Sequence, residues 1–163
     1  MTLQRIVGSW LKENGFQVYL EHTVDGIHYA DVYAINDAKD VIVEVETGYV
    51  PPMFIGEAET YMLARSIVKT IKYAPLADEF YIATPSYIRL PIPHVLLTTP
   101  SDEDLVLASL LVKRFFGERW ADETLRRLRD SRLDGVLLVE VARRSVSVLK
   151  GDELRPYLVV YGP

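Results

Sequence analysis

The sequence contains no cysteine, which excludes disulfide bonds, zinc sites built from thiolates and cysteine nucleophiles. It also lacks a long apolar run, since no stretch approaches the roughly 18 to 20 uninterrupted apolar residues of a membrane span. The chain opens directly into an amphipathic segment, without the pattern of a secretory signal. We therefore expect a cytoplasmic protein with no part in a membrane.

Motifs of several enzyme classes are missing as well. The chain has no Gly-x-Ser-x-Gly motif for a hydrolase nucleophile and no glycine-rich loop for a nucleotide phosphate. Its three histidines are scattered, which does not favour a histidine metal site. The 163 residues are 49% hydrophobic, which is enough to fill the core of one domain or of one core with an appended lobe.

Three carboxylates occur in two short segments of β-branched and aromatic residues, 29–35 and 41–47, which a polar turn connects. This pattern predicts adjacent antiparallel strands. Because side chains alternate along a strand, Glu44 and Glu46 should project from one face, with Asp31 on the neighbouring strand. Hard cations such as Mg²⁺ take such oxygen ligands, so the pattern indicates a metal site. A solvated sheet face is the alternative interpretation of the same spacing.

The flanking segments have regular patterns too. Apolar residues recur at helical spacing over residues 2–14 and again over residues 54–73. Alternating or β-branched runs predict strands at 16–21, 80–84 and 93–98. The predicted order is helix, three strands, helix, strand.

These motifs together resemble a known family. Ala-Asp-Val-Tyr at 30–33, Ile-Val-Glu-Val-Glu-Thr at 42–47 and a long helix ending in Lys-Tyr are similar to the PD-(D/E)xK nuclease superfamily, particularly its archaeal Holliday-junction-resolvase-like members. The resemblance covers residues 2 to about 98. It implies an α/β fold with a restriction-endonuclease-like core, made of a helix, a three-stranded antiparallel meander, a helix and a strand, over residues 1–98.

The resemblance also implies roles for individual residues. Asp31 and Glu44 would be the carboxylates that hold Mg²⁺ or Mn²⁺, and Val45 would offer its backbone carbonyl. Glu46 occupies the position of the usual lysine, which positions the attacking water. Some restriction enzymes of this superfamily have glutamate there, acting as a base or binding a second cation, so Asp31, Glu44 and Glu46 are the expected catalytic residues. Gln4 falls near an acidic position of the first helix.

The missing motif lysine leaves two functions open. The first is a metal-dependent DNA endonuclease that hydrolyses phosphodiester bonds of structured DNA in repair or recombination. In that case Lys69 or Lys72, on the following helix, is a candidate to replace the lysine. The second is an inactive nuclease-fold protein that binds a protein partner or DNA and regulates transcription or repair.

The C-terminal part, residues 99–163, extends this core with an α+β segment. Ser101 followed by three acids predicts a capped helix start. The last strand, rich in Leu, Val and Tyr, would pair within the chain or across a homodimer. The predicted elements are helices at 105–116 and 121–132 and strands at 136–141, 145–149 and 157–161.

Charge is distributed unevenly along the chain. The net charge is −5, and residues 1–60 contain ten acids and three bases, whereas residues 113–150 contain ten bases and six acids. The basic side chains would contact DNA phosphates if they converge on one face. A salt-bridged surface is the alternative, because acids are interleaved with them. The candidates for nucleic-acid contact are Arg126, Arg127, Arg129, Arg143 and Arg144, with Arg119, Arg132 and Lys150 nearby in sequence.

Overall fold

The computed structural model describes residues 2–160. The fold begins with a helix, and a three-stranded antiparallel meander follows it. Helix α1 (Thr2–Glu13) is amphipathic and buries one face. Strands β1 (Gln17–Thr23), β2 (Tyr29–Ile35) and β3 (Asp40–Val45) follow and pair in chain order. All four predicted elements are confirmed, with their ends within two residues of the predicted ones.

A crossover connects β3 to the next strand of the sheet. Helix α2 (Ala58–Tyr73) lies between β3 and strand β4 (Glu79–Pro85), and β4 runs parallel to β3. The predicted order of helix, three strands, helix and strand is thus confirmed. The helix begins later than predicted, because Pro52–Glu57 form a 3₁₀ segment. Pro52 has no backbone N–H at the start of this segment, and Gly56 lowers the helix propensity near the end of the segment.

Two further helices pack against α2. Ser101 caps helix α3 (Asp102–Phe116): its hydroxyl accepts from the Asp104 N–H, and the Asp104 carboxylate accepts from the Ser101 N–H, as the sequence predicts. Gly117 follows with a φ of 90°, so helix α4 (Glu118–Arg127) starts immediately and earlier than predicted. A 3₁₀ turn continues from it.

The last hairpin extends the sheet. Strand β6 (Gly135–Glu140) pairs parallel to β4, and strand β7 (Ser145–Leu149) pairs antiparallel to β6. Within residues 2–160 the sheet has six strands in the order β1-β2-β3-β4-β6-β7. The fold is therefore α/β with a mixed sheet. The domain division near residue 98 stays a prediction, and strands from both sides of it pair in this sheet.

Two predicted strands differ from the structure. Strand β5 is Ile92–Pro93, and His94–Leu96 form a 3₁₀ turn, so the predicted strand at 93–98 is wrong. The chain turns after Pro93, and the Leu97 N–H donates to the His94 carbonyl at 3.1 Å instead of to a neighbouring strand. Strand β8 (Leu158–Val159) pairs with β5 within the chain, which makes the predicted last strand shorter. Its predicted end at Tyr161 lies outside the described residues.

The sheet separates two apolar cores. One forms between α1 and the sheet, and the other forms under α2, α3 and α4, with Phe80 fully buried in it. Among the residues described, none of the helices combines the length and the hydropathy that a membrane crossing requires. Helices therefore cover both faces, and the end of the sheet where β3, β4 and β6 finish is the edge at which α/β proteins usually bind ligands.

Candidate active site

Strands β2 and β3 separate at this end of the sheet. Their backbone pairing stops at Val32 and Val43, and side chains then take over the hydrogen bonds of the ladder. Asp31 Oδ2 accepts from the Val45 N–H at 2.8 Å, and Glu44 Oε2 accepts from the Asp31 N–H at 2.7 Å. Each carboxylate thus binds the backbone of the other strand. The two acids predicted from the sequence meet in the gap between the strands.

Helix α1 contributes a neutral partner to this pair. Gln4 is buried, and its Nε2 donates to Asp31 Oδ1 at 3.2 Å. An amide orients the carboxylate without adding a third negative charge to the gap. Gln4, which falls near the acidic position that the resemblance implies on the first helix, therefore contacts Asp31.

Glu44 is held in an electrostatically unfavourable place. Only 5% of its surface is exposed, and burial together with the nearby Asp31 carboxylate raises its pKa from 4.5 to about 7. The Asp31 N–H, Lys69 and Lys72 oppose this rise only in part. A carboxylate in this state gains stability from any additional cation in the gap.

Glu46 lies apart from the other two acids. It is 3% exposed and accepts from Arg65 Nε at 2.8 Å, from a second guanidinium nitrogen of Arg65 and from the Gly48 N–H at 2.9 Å. Lys69 Nζ lies 3.5 Å from its Oε2. Glu46 therefore turns to α2, while Asp31 and Glu44 meet in the gap. Within residues 2–160 no three His, Asp or Glu side chains group as a metal site would require.

Two lysines of α2 lie near the gap, in different surroundings. Lys69 Nζ donates to the Val45 carbonyl at 2.9 Å, so the ammonium group lies between that carbonyl and Glu46. Lys72 Nζ instead lies over the Tyr73 ring, 5.0 Å from its centroid, and faces α4. Of the two lysines, Lys69 is thus the one that contacts the Val45 carbonyl, which the resemblance implies as a metal ligand.

Arg65 is a functional candidate that the sequence interpretation missed. Its bidentate contact with the buried Glu46 connects α2 to the residue that follows β3. A signal was present, because Arg65, Lys69 and Lys72 are spaced by four and three residues and lie on one helix face. A row of basic residues on a largely buried helix indicates an acidic residue on the element that packs against that helix face.

The arginines predicted to contact nucleic acid do not form one cluster. Arg126 and Arg127 both pair with Glu123, and Arg129 pairs with Asp102. For these residues the structure favours the salt-bridged surface that was the alternative. Arg143 and Arg144 are exposed in the turn after β6, at the same end of the sheet as the carboxylate gap.

Glu44→Gln should stabilise the metal-free protein. A raised pKa means that the folded state binds more protons than the unfolded state between about pH 4.5 and 7, so stability falls as pH rises through this window. Glutamine removes the buried charge, and we expect a gain of about 3 kcal/mol in the free energy of unfolding above pH 7. The gain should vanish near pH 4. Urea unfolding in EDTA at both pH values measures it.

Glu79→Gln is the matched control for this experiment. Burial raises the pKa of Glu79, but hydrogen bonds from Lys39 and Tyr81 outweigh burial and lower it overall. The same substitution should therefore reduce stability above pH 7. If Glu44→Gln changed stability by less than about 1 kcal/mol there, the raised pKa of Glu44 would be refuted.

Comparisons with known proteins give one remote likeness. No protein-family model matches the chain, and no curated protein matches it. A solved structure of an XisH family protein from Nostoc punctiforme has a TM-score of 0.40 and 14% sequence identity, with 90% of this chain and 97% of that chain covered.

Proposed function

We propose that the chain is a metal-dependent DNA endonuclease that hydrolyses phosphodiester bonds where β2 and β3 separate. One observation carries the proposal: two carboxylates, Asp31 and Glu44, and one ammonium group, Lys69, converge on this gap. The order of elements supports it, because helix, antiparallel meander, helix and parallel strand is the order of a restriction-endonuclease-like core. Structured DNA is the proposed substrate.

The donor set suits Mg²⁺ or Mn²⁺. Each of the two carboxylates uses one oxygen for a backbone N–H and keeps further lone pairs, and the Val45 carbonyl adds a neutral oxygen. Asp31, Glu44 and Val45 would hold the ion. When bound, such an ion supplies a Lewis acid that stabilises negative charge on the phosphate and lowers the pKa of water. Burial and the Asp31 carboxylate raise the pKa of Glu44 despite the nearby Lys69 and Lys72, so a further cation in this gap would be stabilised.

Lys69 takes the role of the missing motif lysine in this proposal. Its ammonium group has three donors; one binds the Val45 carbonyl, and Glu46 lies 3.5 Å away as an ion-pair partner that can take a second. The third is available to orient the attacking water or a phosphate oxygen. Glu46 then acts as a positioning residue, because Arg65, Gly48 and Lys69 engage its oxygens and leave little capacity for a base.

An inactive nuclease-fold protein remains the second candidate, and a specific contact favours it. Lys69 Nζ donates to the Val45 carbonyl, where a cation would otherwise bind, and Glu46 stands in the lysine position. In that case the ion pairs with Arg65 and Lys69 would be structural, and the protein would act by binding DNA or a protein partner.

Lys69→Gln should lower metal-dependent cleavage by about 100-fold, since loss of one positioned hydrogen-bond donor in an active site costs this much or more. The assay uses labelled four-way junction, flap, duplex and single-stranded DNA with Mg²⁺ or Mn²⁺. Lys12→Gln, on the exposed side of α1, is the control and should cleave like the unmodified protein. Absence of cleavage by the unmodified protein on every substrate would favour the inactive candidate.

A further inference from the structure

A second charged cavity lies next to the carboxylate gap, between α2, α4 and the loop that joins β1 to β2. Its volume is about 70 Å³, several times the roughly 10 to 15 Å³ that one water molecule needs on the same measure, so a phosphate group has room there. The lining residues are His28, Lys72, Arg119, Trp120, Glu123 and Arg127.

The charges that line this cavity are not balanced. Glu123 is already shared between Arg126 and Arg127. Lys72 and Arg119 face aromatic rings instead, and among residues 2–160 neither has a carboxylate at ion-pairing distance. Among the described residues, Lys72 and Arg119 therefore border this cavity without an ion-pair partner, and an anion is the ligand that would pair with them.

Contacts of Tyr73 connect the cavity to the carboxylate gap. Tyr73 donates its hydroxyl to the Tyr29 carbonyl at 2.9 Å, two residues before Asp31, and the His28 ring contacts the Tyr73 ring edge-on at 6.4 Å. Lys72 follows Lys69 by three residues on α2, so both point from the same helix face. An anion beside Lys72 would thus be a neighbour of a group held in the gap.

We propose that this cavity binds a backbone phosphate of the DNA strand whose neighbouring phosphodiester lies at Asp31 and Glu44. This inference rests on the proposed function. A DNA strand repeats its charge along the backbone, so two adjacent sites for phosphate would hold it in register. The guanidinium of Arg119 and the ammonium of Lys72 are the groups that bind phosphate most often.

The double variant Lys72→Gln/Arg119→Gln tests the cavity. Binding of a fluorescent single-stranded oligonucleotide is measured by anisotropy in EDTA, over a range of salt concentrations. We expect binding at least about 10-fold weaker, and a slope of log K against log salt that is smaller by about 0.7, the change for one phosphate contact on a single strand. The control Lys12→Gln/Arg155→Gln removes the same charge at exposed positions elsewhere and should keep the slope. The variant Lys72→Arg/Arg119→Lys keeps both positive charges, so it should have the salt slope of the unmodified protein.

An unchanged slope in the double variant, with an unchanged melting temperature, would overturn the inference. So would loss of binding to poly-glutamate without loss of binding to DNA, because that result would identify an acidic protein partner. Since the measurement needs no metal and no cleavage, the two proposals fail separately. Cleavage by the unmodified protein, together with an unchanged slope in the double variant, would overturn only the proposed phosphate site. A reduced slope without cleavage would support that site and overturn the proposed nuclease function.

Discussion

Asp31→Asn is expected to lower the rate of Mg²⁺- or Mn²⁺-dependent DNA cleavage by about a thousandfold or more, because a lost metal carboxylate removes several kcal/mol of transition-state stabilisation. Asparagine keeps the size of the side chain and an oxygen that accepts from the Val45 N–H. The substitution therefore removes negative charge with little change in shape. Single-turnover rates, measured with enzyme in excess on the DNA that is cut fastest, report the effect.

Asp37→Asn provides the control for this change. Asp37 is exposed in the turn between β2 and β3, outside the carboxylate gap, and the substitution removes the same charge. It should leave the rate unchanged, and both variants should melt close to the unmodified protein. An Asp31→Asn rate within tenfold of the unmodified one would place the reaction away from Asp31.

Arg65→Met should cost about 3 to 5 kcal/mol of unfolding free energy, because it leaves Glu46 buried without its main partner. Glu46 is 3% exposed, and Arg65 supplies two of the hydrogen bonds to its carboxylate. Lys69 is 3.5 Å away and replaces only part of that interaction. Urea unfolding near pH 7 measures the loss.

A double-mutant cycle separates the charge from the packing. Arg65→Met/Glu46→Met removes both charges and keeps apolar volume, so it should recover most of the stability that Arg65→Met loses. If Arg65→Met cost less than about 1 kcal/mol, Lys69 alone would neutralise Glu46, and the role of Arg65 as the main partner of Glu46 would be refuted.

The carboxylate pair follows from local patterns. Alternation fixes which residues of a strand share a face, and a short polar turn makes 29–35 and 41–47 neighbours, so Asp31 and Glu44 are predictable without tertiary information. The splaying of β2 from β3 beyond Val32 is not predictable in this way. It depends on two side chains replacing backbone hydrogen bonds.

The surroundings of the pair depend on packing between distant segments. Gln4 and Arg65 reach the site because α1 and α2 cover opposite faces of the sheet, and helical periodicity alone does not specify what a helix face meets. Glu46 could therefore be assigned as a catalytic residue from its position in the predicted strand at 41–47, although in the structure it follows β3 and forms ion pairs with α2. The strand predicted at 93–98 ends at Pro93 because the following residues form a 3₁₀ turn, in which the Leu97 N–H donates to the His94 carbonyl.

Calorimetric titration of Mn²⁺ into the metal-free protein tests the proposed metal site most directly. At about pH 6.5, where Glu44 is largely protonated, we expect one ion to bind per chain with release of a proton, detected by comparing buffers of different ionisation enthalpy. Asp31→Asn and Glu44→Gln should abolish this binding, and Asp37→Asn should not. Equal binding in the unmodified protein and Asp31→Asn, or no binding in either, would contradict the proposal.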